Sequence, residues 1–455
     1  MSMRFVFLIL AVAGMFVLTY LTIGKEMDTV VLGVAMVLIF LICFFSVKIS
    51  LAILIFSMLL SPEIIVGATT ERAVTARMED ILLFTMTMSW MIRMAIFKDL
   101  GFMLKTPLNR PMIIYSAIAV LSTSLGALRG NVPPASGFFF TLKIIEYFFL
   151  FNVIINNVQT EKEVENLLNM LLIVSGIICL YGLVMAGTGG NVSAPFEVGR
   201  SERNTLSGYL VLMGSVAAGV LMSTTSKLER TLLSFLVGFI IIVLLFSISR
   251  SGWLAAIVSI IVLFMCSKQK NIYFLILAIL LFTLAFFLPS VVHERFDFTF
   301  NQYSQWRPQF ELFGIRFDTS TSDRIFGAQA VFRQFSSHAL LGYGLTGYYF
   351  IDGQFFRTLA ELGVLGLGAF IWLLAAVHGA IRKTMKQETS YPRIRGMTIG
   401  FYAGFWGLIA HAFTANTFMI VRISEPFWCL AGLVVIMLSI NKTNLETQLK
   451  LSAAV

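Results

Sequence analysis

Charge is scarce in this chain. Only 13% of its 455 residues are charged and 58% are hydrophobic, whereas a soluble globular protein is about 25% charged and about 45–50% apolar. That balance, with a mean hydropathy of +0.87, excludes a soluble enzyme, a disordered chain and a nucleic-acid binder. The net charge of +9 lies between apolar runs and reads as topology signals and lipid or phosphate contacts. Cysteine is nearly absent. Cys43, Cys179, Cys266 and Cys429 fall inside apolar stretches with no CxxC pattern, so no disulfide framework or structural zinc is expected. Histidine is limited to His293, His338, His378 and His411, none paired at metal-ligand spacing. There is no GxxxxGK[ST] loop, no GxGxxG after a strand and no aspartate pair of the kind that holds a metal and a nucleotide sugar. A cytosolic nucleotide-sugar donor is therefore disfavoured, and neither metal nor cofactor is expected.

What the chain has in abundance is long apolar runs. A helix needs about 20 such residues to cross a bilayer. Candidate spans lie near 4–23, 29–47, 50–67, 81–97, 111–128, 137–156, 166–187, 204–223, 231–248, 251–267, 272–290, 354–381, 396–419 and 425–441. The first resembles a signal peptide but continues past Ala11-Val12-Ala13, so it reads as an uncleaved span. The third is short and ends at Ser61-Pro62-Glu63. Nothing alternates like a barrel strand, so the expected fold is all-α: a polytopic transmembrane helical bundle of 12–14 spans. The organisation is N-terminal spans over 1–289, a long extracytoplasmic segment over 290–351, C-terminal spans over 352–441 and a cytoplasmic tail over 442–455.

Orientation follows from lysine and arginine in the short loops. With both termini in the cytoplasm, every inside loop is basic: Lys48, then Lys98, Lys105 and Arg110, then Lys162, Lys227 with Arg230, Lys268 with Lys270, then Arg382, Lys383, Lys386, Arg393 and Arg395, and finally Lys442 and Lys450. The outer face holds Arg72, Arg77, Arg129, Arg200, Arg203, Arg250, Arg295, Arg307, Arg316, Arg324, Arg333, Arg357 and Arg422, and almost no lysine. Either topology keeps lysine inside and tolerates arginine outside, or the arginines serve as phosphate or carboxylate contacts. Guanidinium forks bind phosphate bidentately and stay charged when partly buried.

Four outward segments carry candidate chemistry. In Gly199-Arg200-Ser201-Glu202-Arg203-Asn204 the two arginines share a face at the N-terminus of a span, where an anion is favoured. Ser247-Ile248-Ser249-Arg250-Ser251-Gly252-Trp253 leaves almost no loop, which places Arg250 at or below the membrane surface, as a functional group or snorkelling to headgroups. In the external segment, Thr321-Ser322-Asp323 reads as an N-cap. Ile325, Ala328, Phe332 and Phe335 follow at helical spacing, an amphipathic helix on the membrane rim that carries Arg324 and Arg333. His338 there is a surface residue or a proton shuttle. Finally, Asp352 opens the twelfth span as a cap or as a reactive carboxylate, and Glu361 lies two to three turns deeper and needs a partner. Lys143 and Glu146 are spaced to neutralise each other.

The order of these motifs resembles the O-antigen ligase and polymerase superfamily of bacterial polysaccharide assembly. The likeness is carried by Arg200/Arg203, by Ser249-Arg250-Ser251-Gly252-Trp253 and by the run Asp323-Arg324, Gly342-Tyr343-Gly344, Asp352-Gly353-Gln354-Phe355 and Glu361-Leu362-Gly363. The resemblance implies a membrane glycosyltransferase of the bacterial inner membrane. Its donor would be an undecaprenyl-pyrophosphate-linked oligosaccharide, transferred to a sugar hydroxyl at the outer face without a metal. It further implies that Arg200, Arg203, Arg250 and Arg324 hold the pyrophosphate. Ligases of this superfamily usually carry a histidine where this chain has Asp352. The resemblance therefore favours a polymerase of a surface or exopolysaccharide, with Asp352 as base or acceptor-orienting group. A separate chain-length regulator protein is an open partner beside the lipid bilayer. The alternatives are a ligase acting on a lipid A core, a lipid-linked oligosaccharide flippase and a peptidoglycan polymerase. No internal repeat of the kind common in transporters is visible, and the charges gather at one surface.

Overall fold

The computed structural model describes residues 46–61, 63–68, 73–97, 104–188, 192–195, 203–267, 306–387 and 391–453. The expected first span, nearly all of the second, the span at 272–290 and the start of the external segment lie outside the described residues, as do Arg72, Arg200 and Arg295.

The described residues form twelve α-helices, two 3₁₀ turns and two small antiparallel hairpins. The helices are α1 (Val47–Leu60), α2 (Met78–Phe97), α3 (Asn109–Leu128), α4 (Pro134–Asn157), α5 (Glu161–Gly187) and α6 (Arg203–Ser223). They continue with α7 (Lys227–Phe246), α8 (Arg250–Cys266), α9 (Thr319–Gln334), α10 (Gln354–Lys386), α11 (Pro392–Ala412) and α12 (Val421–Ala453). Strands β1 (Glu63–Ala68) and β2 (Ala73–Arg77) pair between α1 and α2, and β3 (Glu311–Leu312) and β4 (Ile315–Arg316) pair before α9. Seven helices, α3 to α7, α10 and the Val421–Asn441 part of α12, are long and apolar enough to cross a membrane. The chain is a multi-pass all-α membrane bundle.

Burial ranks the helices. The apolar window of α12 is 89% buried and that of α6 78%, against 22% for α7. So α6 and α12 form the centre and α7 lies outside. Glycine lets α6 and α11 touch backbone to backbone. A Cβ at Gly219 would stand 2.3 Å from the Gly396 carbonyl oxygen, and one at Gly400 would stand 2.4 Å from that of Ser215. Close approach of this kind replaces the hydrophobic drive that helices lack in lipid.

Charged pairs gather at both ends of the bundle. At one end Lys48 pairs with Glu163, and Arg393 pairs with Glu229 at 2.6 Å. The other end gathers the first turns of α6, α8, α10 and α12, with Arg203, Arg250, Arg357 and Arg422 on them.

Several boundaries differ from expectation. The third span, expected over 50–67, stops at Leu60, and the chain pairs as a hairpin from Glu63. Proline at position 62 disfavours a helical residue before it and cannot donate the next helical bond. The span expected over 396–419 ends at Ala412, because residues 413–418 turn back to hold another segment, described below. Helix α9 starts earlier than Thr321-Ser322-Asp323: its cap is Asp318, whose carboxylate accepts from Thr321 N at 3.1 Å. The face that packs inward is also not the Ile325/Ala328/Phe332 stripe. Ser322, Gly327 and Val331 are buried while Phe332 is 62% exposed. Gly327 is small enough for Ile351 to close against it, and that contact selects the face.

Helix α10 is two helices joined at Gly363, whose φ of 68° and ψ of −167° break the regular path. A break inside lipid strands four backbone groups on each side. Here the loop after α9 serves both sides. Tyr343 N donates to Ala360 O at 3.0 Å and Gly344 N to Glu361 O at 2.8 Å, while Val364 N donates to Ala339 O at 2.9 Å and Leu365 N to Leu340 O at 3.2 Å. Ser122 of α3 clasps the joint, donating to Leu341 O and, at 2.9 Å, to Glu361 O. A Cβ on Gly363 would meet Leu340 O at 2.4 Å. Gly363→Ala should therefore lower stability by roughly 2–4 kcal/mol, the sum of a left-handed φ and an overpacked contact. Thermal unfolding of the detergent-solubilised protein checks this; an unchanged midpoint would mean the joint tolerates a side chain.

Candidate functional site

The turn between α7 and α8 is short because Ile248 takes φ of 53°. A β-branched residue rarely adopts that left-handed conformation, and such strain persists only where neighbours hold it. The neighbours here are hydroxyls and an amide. Ser249 caps α8, its side chain accepting from Gly252 N at 3.3 Å. Asn204 Oδ1 accepts from Ser249 at 2.9 Å and from Ser251 at 2.8 Å, and Ser207 donates to Ser249 at 2.9 Å. A Cβ on Gly252 would lie 2.4 Å from that of Ser207, so only glycine lets α8 sit this close to α6. The Ser-Arg-Ser-Gly pattern is thus a socket that fixes the first residue of α8, Arg250.

Arg250 Nη2 donates to Asp318 Oδ2 at 2.8 Å. Asp318 is buried and also caps α9. Burial works to raise its carboxyl, but the hydrogen bonds from Arg250 and Thr321 outweigh that and hold it below the ordinary carboxylate value. Six residues along the same helix, Arg324 Nη2 reaches Asp352 Oδ2 at 3.2 Å. Helix α9 therefore ties the start of α8 to the start of α10 through two arginine–carboxylate pairs. All four side chains except Asp318 retain partial exposure.

Asp352 does not cap α10. The N-cap is Gly353, with φ of 113° and no side chain to accept a bond, and the Asp352 carboxylate turns to Arg324 instead. The segment is clamped from behind by the turn after α11. Asn416 Nδ2 donates to Ile351 O at 2.9 Å, Gln354 N donates to Ala415 O at 3.1 Å, and Phe418 N donates to Gln354 Oε1 at 3.0 Å. Beside this clamp lies His411, fully buried, its Nδ1 2.8 Å from Thr417 Oγ1 and near enough to Arg324 to feel its charge.

Other arginines have different surroundings. Arg357 is buried, and its Nε donates to Glu361 Oε1 at 2.9 Å, which supplies the partner Glu361 needs. Glu361 Oε1 also accepts from Thr346 N at 3.1 Å, and the Phe140 ring lies 5.9 Å from the Arg357 guanidinium. Arg422 is 1% exposed and donates to Pro195 O. Lys143 does meet Glu146, at 3.2 Å, but it is shared with Asp80. Asp80, Glu146 and Glu425 bring carboxylate oxygens within 4.8 Å of one another, with the Lys143 ammonium between the first two.

Of the residues expected at the site, Arg250, Arg324 and Asp352 line up along α9. Arg203 opens α6 one residue before Asn204 of the socket. Arg200 lies outside the described residues. Sequence reasoning missed Asp318, although Asp318-Thr319-Ser320-Thr321 has the cap-and-N3 pattern that could have found it. It also misses the roles of Gln354, Asn416 and His411, whose bonds to Phe418, Ile351 and Thr417 depend on a turn whose apolar sequence reads as helix.

Residues 233–371 match the model of the O-antigen ligase family. The match runs from α7 through the joint in α10 and includes Arg250, Asp318, Arg324 and Asp352; Arg203 lies before it. No curated protein matches the chain. The family match supports an O-antigen ligase- or polymerase-like membrane glycosyltransferase.

Asp318→Asn should cost roughly 2–3 kcal/mol, since it leaves Arg250 without its anion. A lowered carboxylate stabilises the fold above its unfolded value, about 3.9, and loses that contribution as pH falls through the folded value. The stability gap between wild type and variant should thus stay constant from pH 7 to about pH 5 and close only below about pH 4. Unfolding midpoints across that range measure it; a gap that closes near pH 6 would contradict the ion pair.

Proposed function

We propose that this chain polymerises a surface or exopolysaccharide at the outer face of the bacterial inner membrane, taking glycan from an undecaprenyl-pyrophosphate carrier. The observation that carries the reading is the double tie of α9. At one arginine-containing end of the bundle, the short helix α9 holds Arg250 of α8 through its cap Asp318 and carries Arg324, which pairs with the Asp352 carboxylate. In this reading the arginine end faces outward and both termini lie in the cytoplasm.

The acceptor hydroxyl oxygen attacks the anomeric carbon of the lipid-borne glycan. The new C–O bond forms as the bond from that carbon to the phosphate oxygen breaks, and the bonding pair leaves with the pyrophosphate. Negative charge grows on that leaving group, and guanidinium donors fixed beforehand stabilise it without a metal ion. Arg250 suits this role because its socket and Asp318 hold it in place before substrate arrives. Arg324 and Arg203, with Arg200, complete the cradle. The hydroxyl proton passes to Asp352, whose Oδ2 faces Arg324 while its other oxygen can orient the acceptor. Gln354 and Asn416 are positioning residues that keep Asp352 at the mouth of α10.

The test uses purified full-length protein with undecaprenyl-pyrophosphate-linked oligosaccharide in lipid nanodiscs. A ladder of products is expected. A single block added to a different acceptor would mean a ligase, and movement without bond formation a flippase. Arg250→Ala should reduce extension by about 10²–10³-fold, with the protein still folded in the membrane. Normal chain length from that variant would remove the pyrophosphate role. Asp352→Asn should lower turnover by about 10²-fold or more while donor binding changes little; full activity would remove the base assignment.

A further inference from the structure

The segment that leads into α9 carries apolar surface that neither the core nor the transfer chemistry uses. Strands β3 and β4 are joined by the two residues Phe313 and Gly314, with φ of 51° and 79°. A two-residue loop with both residues left-handed is a tight hairpin turn whose first position suits asparagine, aspartate or glycine. Phenylalanine there is strained, and such strain persists only where something compensates it. Phe313 is 94% exposed, so contact with the described residues does not compensate it.

The rest of the hairpin is divided by face. Leu312 and Ile315 are cross-strand partners on one side, and Glu311 and Arg316 are partners on the other. Leu312 and Ile315 are exposed, and Trp306, just before the hairpin, is 92% exposed. The nearby charges are matched: Arg316 lies 3.5 Å from Glu311, and Arg307 lies 3.6 Å from Asp323. A tryptophan, an apolar face and tip, and a neutralised charged face suit the layer between lipid headgroups and acyl chains. Four side chains are too few for a stable protein interface, which takes about 20–30 residues a side.

The fold holds the hairpin at that layer. Phe317 N donates to Phe310 O at 3.0 Å and closes its base. Phe310 N donates to Ser322 Oγ at 2.8 Å and its ring meets Phe326 edge-on, which seats the base on α9. The residue after Phe317 is Asp318, tied to Arg250 at the start of α8. Arg250 heads a stripe along α8 that continues through Leu254, Ile257, Ile261 and Met265, positions that share one helix face. Those four apolar residues are exposed, as the rim of a bundle is where it meets lipid. The hairpin therefore hangs from the lipid-facing edge of α8 rather than over the middle of the bundle. Phe313 stands three residues beyond the base, about 10 Å, and the headgroup layer is only about 5–8 Å thick.

We propose that the β3–β4 hairpin is a lipid anchor. Leu312, Phe313 and Ile315, with Trp306 beside them, insert into the headgroup–acyl boundary of the leaflet at the Arg250 end and hold α9 against the membrane surface. The inference does not depend on which reaction α9 serves.

The test uses full-length protein in lipid nanodiscs, with its four cysteines replaced by alanine. A nitroxide is attached at Ile315→Cys or, as a lipid reference, at Ile257→Cys. Power-saturation spectroscopy then compares contact with oxygen, which concentrates in lipid, and with a water-soluble nickel chelate. The label at position 315 should favour oxygen as the one at 257 does. It should do so in phosphatidylcholine discs as well as in discs containing phosphatidylglycerol, because the hairpin's charges are matched. Phe313→Asn should shift the label at 315 toward nickel while leaving the thermal midpoint unchanged or higher, since asparagine fits the turn. With Phe313 in place, a label open to nickel would put the hairpin in water and overturn the proposal. A label shielded from both reagents would mean a protein cover, a second copy or another segment, and would overturn it too. So would a clear fall in midpoint for Phe313→Asn, which would mean that the ring packs within the protein.

Discussion

A cation at the end of an apolar bundle must find an anion, because desolvating it alone costs several kcal/mol. In this protein that requirement organises the end of the bundle that carries Arg250 and Arg324. Arg250 cannot settle at the start of α8 without Asp318, and Asp318 is also the cap that starts α9. Arg324, further along α9, meets the carboxylate that precedes α10. One short helix is thereby fastened to α8 and α10 by charge pairs, beside the apolar packing of Val331 on Ile351 and Ala360. The same pairs leave three of their four side chains within reach of solvent, so what holds the helix in place also presents charge to a ligand.

Two further constraints hold the site's other components. The socket of Asn204, Ser207, Ser249 and Ser251 supports the strained Ile248 turn and fixes where Arg250 starts. The clamp of Gln354 and Asn416 joins the end of α11 to the mouth of α10. Both consist of neutral hydrogen bonds in a low-dielectric setting, where satisfied networks rigidify and unsatisfied ones are costly. Charged groups are thus positioned by uncharged ones.

The parts of this arrangement that were legible in the sequence are those set by local pattern. Apolar runs of sufficient length mark α3 to α7 within a few residues. Arg250 stood out because its apolar flanks leave no loop. The remainder depends on partners far away in the chain. Arg250 and Asp318 are 68 residues apart, and Ser122 and Leu341 are 219 apart. No periodicity links them. The turn at 413–418 is apolar like the helix before it, and only its bonds to Ile351 and Gln354 show why it leaves that helix. The broken α10 was hidden for a related reason: Gly363 sits in a run of leucine and glycine whose composition fits a continuous span.

The joint at Gly363 has a mechanical consequence. Residues 339–344 give and receive backbone bonds on both sides of the break, and Ser122 locks them from α3. A segment knitted in this way cannot swing like a flap without unravelling the membrane helix it completes. It is a stationary bed, and whatever passes above it must move over a surface that does not follow it.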